Sequence, residues 1–109
     1  GIPGLSLVAM DLEAEDAPKR LPRGPFAGIV LTYYVNRPLL RALPPFLLPG
    51  GLLLMEGFSR KEALRRGRPF SPLYWEPEEL LTPPPGLSLR AFGEGWMGGH
   101  RVYAVYLRP

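Results

Sequence analysis

The chain has 109 residues, with 15 prolines, 13 glycines and no cysteine; 46% of it is hydrophobic, 21% is charged, and the net charge is +3. That suits one small globular domain spanning 1–109, and it excludes a disulfide framework, a thiolate metal site and a cysteine nucleophile. No apolar run approaches the roughly 18 residues that a membrane-spanning helix needs, and no secretory leader is visible, so a cytoplasmic protein is expected. Glycine at position 1 reads as a processed, trimmed or engineered start. Eleven of the 13 basic residues are arginine and glutamine is absent, a composition of thermophile type that a GC-rich genome also produces.

Leu5-Ser6-Leu7-Val8-Ala9-Met10 reads as a buried strand after Pro3-Gly4, with Asp11-Leu12-Glu13 at its carboxyl end. Residues 14–25 are polar and proline-rich, hence a loop. Phe26 to Tyr34 is a second strand, apolar without alternation, as in strands that helices cover on both faces. Asn36-Arg37-Pro38 opens a helix, with asparagine as cap and proline in the first turn. Pro44-Pro45 breaks or kinks that helix and Pro49-Gly50-Gly51 stops it. Leu52 to Glu56 is a third strand.

Ser59 and Glu62 have capping-box spacing and open a short helix ending at Gly67. Glu76-Pro77-Glu78-Glu79-Leu80-Leu81 starts another, with carboxylates at its positive end, and Pro83-Pro84-Pro85 ends it. Leu87 to Phe92 and Arg101 to Leu107 are consecutive strands joined by a Gly93–Gly99 turn, so they pair as an antiparallel hairpin. The expected class is α/β, with a mostly parallel sheet and a C-terminal antiparallel hairpin.

That order resembles the carboxyl-terminal part of Rossmann-like methyltransferases that use S-adenosylmethionine. The stretch IVLTYYVNRPLLRALPPFLLPGGLLLMEGF, followed by GRPFSPLYWEPEELL, is similar to the small tellurite-resistance-type subgroup. The resemblance covers roughly residues 7–107 and implies an incomplete Rossmann-like fold, about half of the cofactor-binding unit. Such enzymes carry a glycine-rich cofactor loop upstream of the strand that Leu5–Met10 matches. Here Gly93-Glu94-Gly95 spells Gly-x-Gly, but it lies between hairpin strands and fails the strand-to-helix context. Proteolysis, a split gene or natural truncation would each leave such a chain.

The resemblance implies S-adenosylmethionine as cofactor. It places Asp11, with Leu12 beside it, at the adenine amino group; the alternative is a loop-capping aspartate. Thr32, Tyr33 and Tyr34 fall at the strand end facing cofactor and substrate. Asn36, Arg37, Glu56, Phe58 and Arg68 are the candidate substrate-binding residues. Glu56 orients an acceptor or acts as base, or else caps or pairs with Arg37.

Arg60, Lys61, Arg65, Arg66 and Arg68, next to Phe70, Tyr74 and Trp75, are either a lid for an anionic substrate or acidic partner, or a solvated helix face. His100 has no carboxylate or cysteine company in the sequence, so neither a metal site nor a triad is expected. Trp96 and Met97 cover a pocket, an interface or the core. Net charge is small and no nucleic-acid motif is present, so nucleic acid is not an expected partner.

Phe26–Tyr34 and Leu52–Met55 read as interior strands. An uncovered interior strand invites pairing, so self-association or contact with a missing amino-terminal fragment is expected. The first strand swinging beside Phe26–Tyr34 is the alternative. Three functions stay open: part of a methyltransferase acting on a small acceptor, a non-catalytic self-associating scaffold, and a binding module for acidic partners.

Overall fold

The computed structural model describes residues 25–33, 35–68 and 71–109. The strand expected over 5–10, with Asp11 and Leu12, lies outside the described residues, as do Tyr34 and Phe70. Four strands form one sheet: β1 (Phe26–Thr32), β2 (Leu47–Phe58), β3 (Ser88–Trp96) and β4 (His100–Leu107). Between them lie the short helices α1 (Arg37–Ala42), α2 (Arg60–Arg65) and α3 (Pro77–Leu81), and a 3-10 turn at Pro44–Phe46.

The strand order is β1-β2-β4-β3. β1 and β2 run parallel, while β4 is antiparallel to both β2 and β3. The expected predominance of parallel pairing is therefore absent among the described strands. The hairpin makes β4 antiparallel to β3, and β4 inserts between β3 and β2 running against both.

α1 starts where its sequence says. Asn36 is extended at φ −142° and its side chain accepts from the Leu39 amide at 3.0 Å. It ends earlier than expected, because Pro44 has no N–H to continue the ladder. Phe46 N instead donates to Leu43 O at 2.8 Å, closing the 3-10 turn. Pro49-Gly50-Gly51 does not stop a helix; it lies inside β2.

There, a step of two along β1 (Phe26 to Gly28) is matched by a step of five along β2 (Leu47 to Leu52), so the ladder bulges. Gly50 takes φ +82°, and Gly51 is pressed against the carbonyls of Phe26 and Ala27. A glycine pair supplies both the left-handed turn and the close approach.

From Leu52 onward β2 alternates. Leu53 and Met55 are buried together with Leu31 of β1 and Val102, Ala104 and Tyr106 of β4. α1 and the 3-10 turn supply Leu39 and Leu43, α3 supplies Leu80, and Trp75 fills the space against Gly57. Each fully buried leucine contributes about 1.5–3 kcal/mol.

The other face carries Val30, Leu52, Leu54 and Tyr103, all exposed. Helical cover on both faces was expected from the unbroken apolar runs; the described helices pack on one. Among the described residues β1 stands at the sheet edge, as an interior strand without its neighbour would. No helix of the described residues is long and apolar enough to cross a membrane.

Candidate functional site at the carboxyl edge of the parallel strands

β1 and β2 end side by side, with Thr32 paired to Glu56. Ligands of open α/β sheets bind beyond this edge. The Tyr33 amide donates to Glu56 O at 2.8 Å, so the chain stays on the sheet one residue past the strand. Tyr33 then takes φ +55°, the only non-glycine residue in the left-handed region among the described residues. That conformation costs about 1–2 kcal/mol, and such strain clusters at functional sites.

The turn brings the Tyr33 ring to 5.1 Å from the Phe58 ring and its hydroxyl to 3.4 Å from Glu56 Oε1. β4 begins beside the end of β2, with Arg101 opposite Phe58. The Arg101 guanidinium carbon lies 5.5 Å from the Tyr33 ring and 6.0 Å from the Phe58 ring. Its Nη1 is 3.6 Å from Glu56 Oε1, a long ion pair. Its Nε is buried and has no hydrogen-bond partner among the described residues. Arg66 stacks on Phe58 at 4.8 Å. Tyr33, Glu56, Phe58 and Arg101 thus converge from three strand ends.

Arg37 faces another way. It grips Glu79 as a fork, Nε to Oε2 at 2.6 Å and Nη2 to Oε1 at 2.9 Å. Its other bonds go to the carbonyls of Pro72 and Tyr74, and it stacks over Trp75 at 5.0 Å. Glu79 raises the Arg37 pKa, and Arg37 holds the Glu79 carboxyl below the usual carboxylate range. Arg37, the partner foreseen for Glu56, is therefore engaged elsewhere, and the cation beside Glu56 is Arg101. The Asn36 carboxamide serves the helix cap. Arg68 follows Gly67 and is exposed; its amide donates to Ala63 O at 2.7 Å.

The basic cluster is neither a bare lid nor a merely solvated face. Glu62 is fully buried. It accepts from Arg65 Nε at 2.9 Å and Nη2 at 2.5 Å, from Arg66 Nε at 2.5 Å, and from the His100 amide at 3.0 Å. The Arg65 bonds above all hold its carboxyl down at about 2, against the opposing effect of burial.

The expected capping box is half formed. Ser59 accepts from the Lys61 amide at 3.2 Å, but Glu62 turns away to His100, and the Ser59 amide donates to His100 O at 2.9 Å. The Ser59 hydroxyl bonds His100 Nδ1 in the interior. His100 is a tie between α2 and β4; no metal-binding group of residues occurs among the described residues. Trp96 packs edge-on to His100 at 4.9 Å and is exposed on its other side, and Met97 is exposed in the turn.

A shallow pocket of about 210 Å³ opens on the uncovered face over Val30, Leu54, Glu56 and Tyr103. A second, of about 240 Å³, lies between α1 and the triple proline, against Trp75.

Sequence reading missed Arg101 as a site residue. Its only signal was position: it starts the strand that antiparallel pairing lays against the end of β2.

The fold is similar to that of solved structures. The N-methyltransferase NodS from Bradyrhizobium japonicum WM9 superimposes with a TM-score of 0.60 at 14% identity, covering 84% of this chain and 56% of NodS. NodS in complex with S-adenosyl-L-homocysteine gives 0.50 at 19% identity, over 94% and 53% of the two chains. The fold is methyltransferase-like, and the chain spans somewhat over half the length of NodS. No family model and no curated protein matches the sequence.

Proposed function

We propose that this chain is the acceptor-side portion of an S-adenosylmethionine-dependent methyltransferase acting on a small molecule. The observation that carries the reading is the strained Tyr33 turn, set with Glu56 and Phe58 at the carboxyl edge of a parallel pair in a methyltransferase-like fold. Placement in the tellurite-resistance-type subgroup rests on the Arg-Pro-Leu-Leu and Gly-Arg-Pro stretches of the sequence.

Two aromatic faces and a carboxylate suit one end of such a cofactor, since a sulfonium cation is drawn to both. Thr32 and Tyr33, with Asp11, Leu12 and Tyr34 by resemblance, would hold it. When bound, S-adenosylmethionine supplies the methyl group. The chain's own work is to fix the acceptor in line and exclude water, which is where most of the rate of such a displacement arises. Glu56 faces the acceptor as proton receiver. Asn36 and Arg37 act by fixing the start of α1 and the segment it grips. Arg68, exposed after Gly67, remains a candidate for the acceptor by resemblance alone.

Titration calorimetry with S-adenosylmethionine tests this. Micromolar binding supports the assignment; absence of heat at millimolar ligand overturns it.

A second reading has its own observation. The exposed apolar face and the β1 edge are what a scaffold completed by a second copy, or by an amino-terminal fragment, presents. Sedimentation at rising concentration reads it out: a mass that stays monomeric rejects self-association. The acidic-partner reading gains no support, because Glu62 already engages Arg65 and Arg66.

A further inference from the structure

The geometry points to Arg101 as the residue that receives a carboxylate carried by the acceptor, with the ring or chain next to that carboxylate lying against Phe58 and Tyr33. The inference deepens the methyltransferase reading and rests on it for the ligand's role as acceptor.

Arg101 differs from the other arginines of this end of the sheet. Arg65 and Arg66 are locked on Glu62 by bonds of 2.5–2.9 Å. Among the described residues Arg101 has one counter-ion, Glu56, beyond hydrogen-bond reach at 3.6 Å, and its buried Nε has no partner. The Nε is closed to solvent, so a ligand would meet the exposed third of the side chain, whose nearest carboxylate lies beyond hydrogen-bond reach.

The fork is also held in place. It lies over Tyr33 and Phe58, and the turn passes so near that a side chain at Gly98 would meet Nη2 at 3.4 Å. A guanidinium fixed in its plane matches a carboxylate bidentately. Glu56 and the incoming carboxylate would compete for Arg101. Binding would therefore release Glu56 from its long pair and leave it facing the same ligand. Tyr33 and Phe58 supply aromatic walls, which favours an aryl or other planar body next to the charge.

Benzoate is the probe, with benzamide as its uncharged isostere, on the full chain. In wild-type protein benzoate should shift the Arg101 Nε–H and the Tyr33 and Phe58 ring resonances, and benzamide should not. Arg101→Gln should bind benzoate about tenfold more weakly or worse, and Arg101→Lys, which keeps charge and loses the fork, should fall between. The wild-type resonances decide the matter even where a variant folds poorly. Benzamide binding as tightly as benzoate overturns the inference, as does a folded Arg101→Gln protein of unchanged affinity. Protein that binds S-adenosylmethionine but shows no benzoate shift refutes the carboxylate site alone; protein that binds neither refutes the methyltransferase reading itself.

Discussion

Replacing Tyr106 by phenylalanine isolates one buried hydrogen bond. Tyr106 is fully buried on the helix-covered face of β4, and its hydroxyl donates to Leu80 O at 2.5 Å, tying the end of α3 to the sheet. The ring stays, so no cavity of consequence forms, but the Leu80 carbonyl loses its partner in the interior. Orphaning a buried acceptor costs about 1–3 kcal/mol, and about 4–8 °C of melting temperature per kcal/mol for a domain near this size.

The pH dependence gives a second, independent handle. Burial pushes the Tyr106 phenol up to about 12, whereas an unfolded tyrosine titrates near 10. Between those values the unfolded chain releases the proton and the folded chain keeps it. The stability contribution is therefore full below about pH 10 and is lost as pH rises toward about 12. Urea unfolding of both proteins from pH 7 to 11.5 should show wild type more stable at neutrality and the gap narrowing above pH 10. Every other group is common to both proteins and cancels in the difference. A variant as stable as wild type at pH 7, or a gap that stays constant above pH 10, refutes the role given to this hydroxyl.

Glu62→Gln should destabilise the chain by unpairing Arg65 and Arg66 and weakening the tie to His100. Because the Glu62 carboxyl is held down at about 2, its contribution is present above the ordinary carboxylate range and is lost as pH falls toward 2. The acid limb of the stability curve should therefore flatten in the variant, which circular dichroism against pH reads directly. Gly51→Ala should cost about 1–3 kcal/mol by overpacking, since its Cβ would sit 2.8 Å from Leu48 O and 3.2 Å from two β1 carbonyls, all backbone; chemical denaturation checks it, and an unchanged midpoint contradicts the bulge. Arg37→Gln should lower stability and loosen the 72–79 segment, which amide exchange in α3 would report.

Local signals were legible and long-range ones were not. Asn36 and Gly67 marked helix ends because caps and left-handed stops act within a few residues. The hairpin was legible because no helix-forming run separates its strands. The bulge at Pro49-Gly50-Gly51 was not, since a helix stop and a strand bulge ask for the same residues and only the partner strand β1 tells them apart. The Ser59–Glu62 spacing fitted a reciprocal cap, yet the His100 amide, thirty-eight residues away in sequence, captures the carboxylate instead. The apolar runs of β1 and β2 gave strand type correctly but overstated the cover, which depends on which helices pack where. Tyr33, Glu56 and Phe58 were candidates because they end strands, and the structure brings them together; Arg101 joins them only through the register of β4.

The most direct test is a resonance-by-resonance map of the protein titrated with S-adenosylhomocysteine. Shifts centred on Thr32, Tyr33, Glu56 and Phe58, at the carboxyl edge of β1 and β2, are the result expected. Shifts centred instead on the opposite end, around Phe26, Leu47 and Gly50, or a spectrum unchanged at saturating ligand, would contradict a methyl-transfer site at this edge.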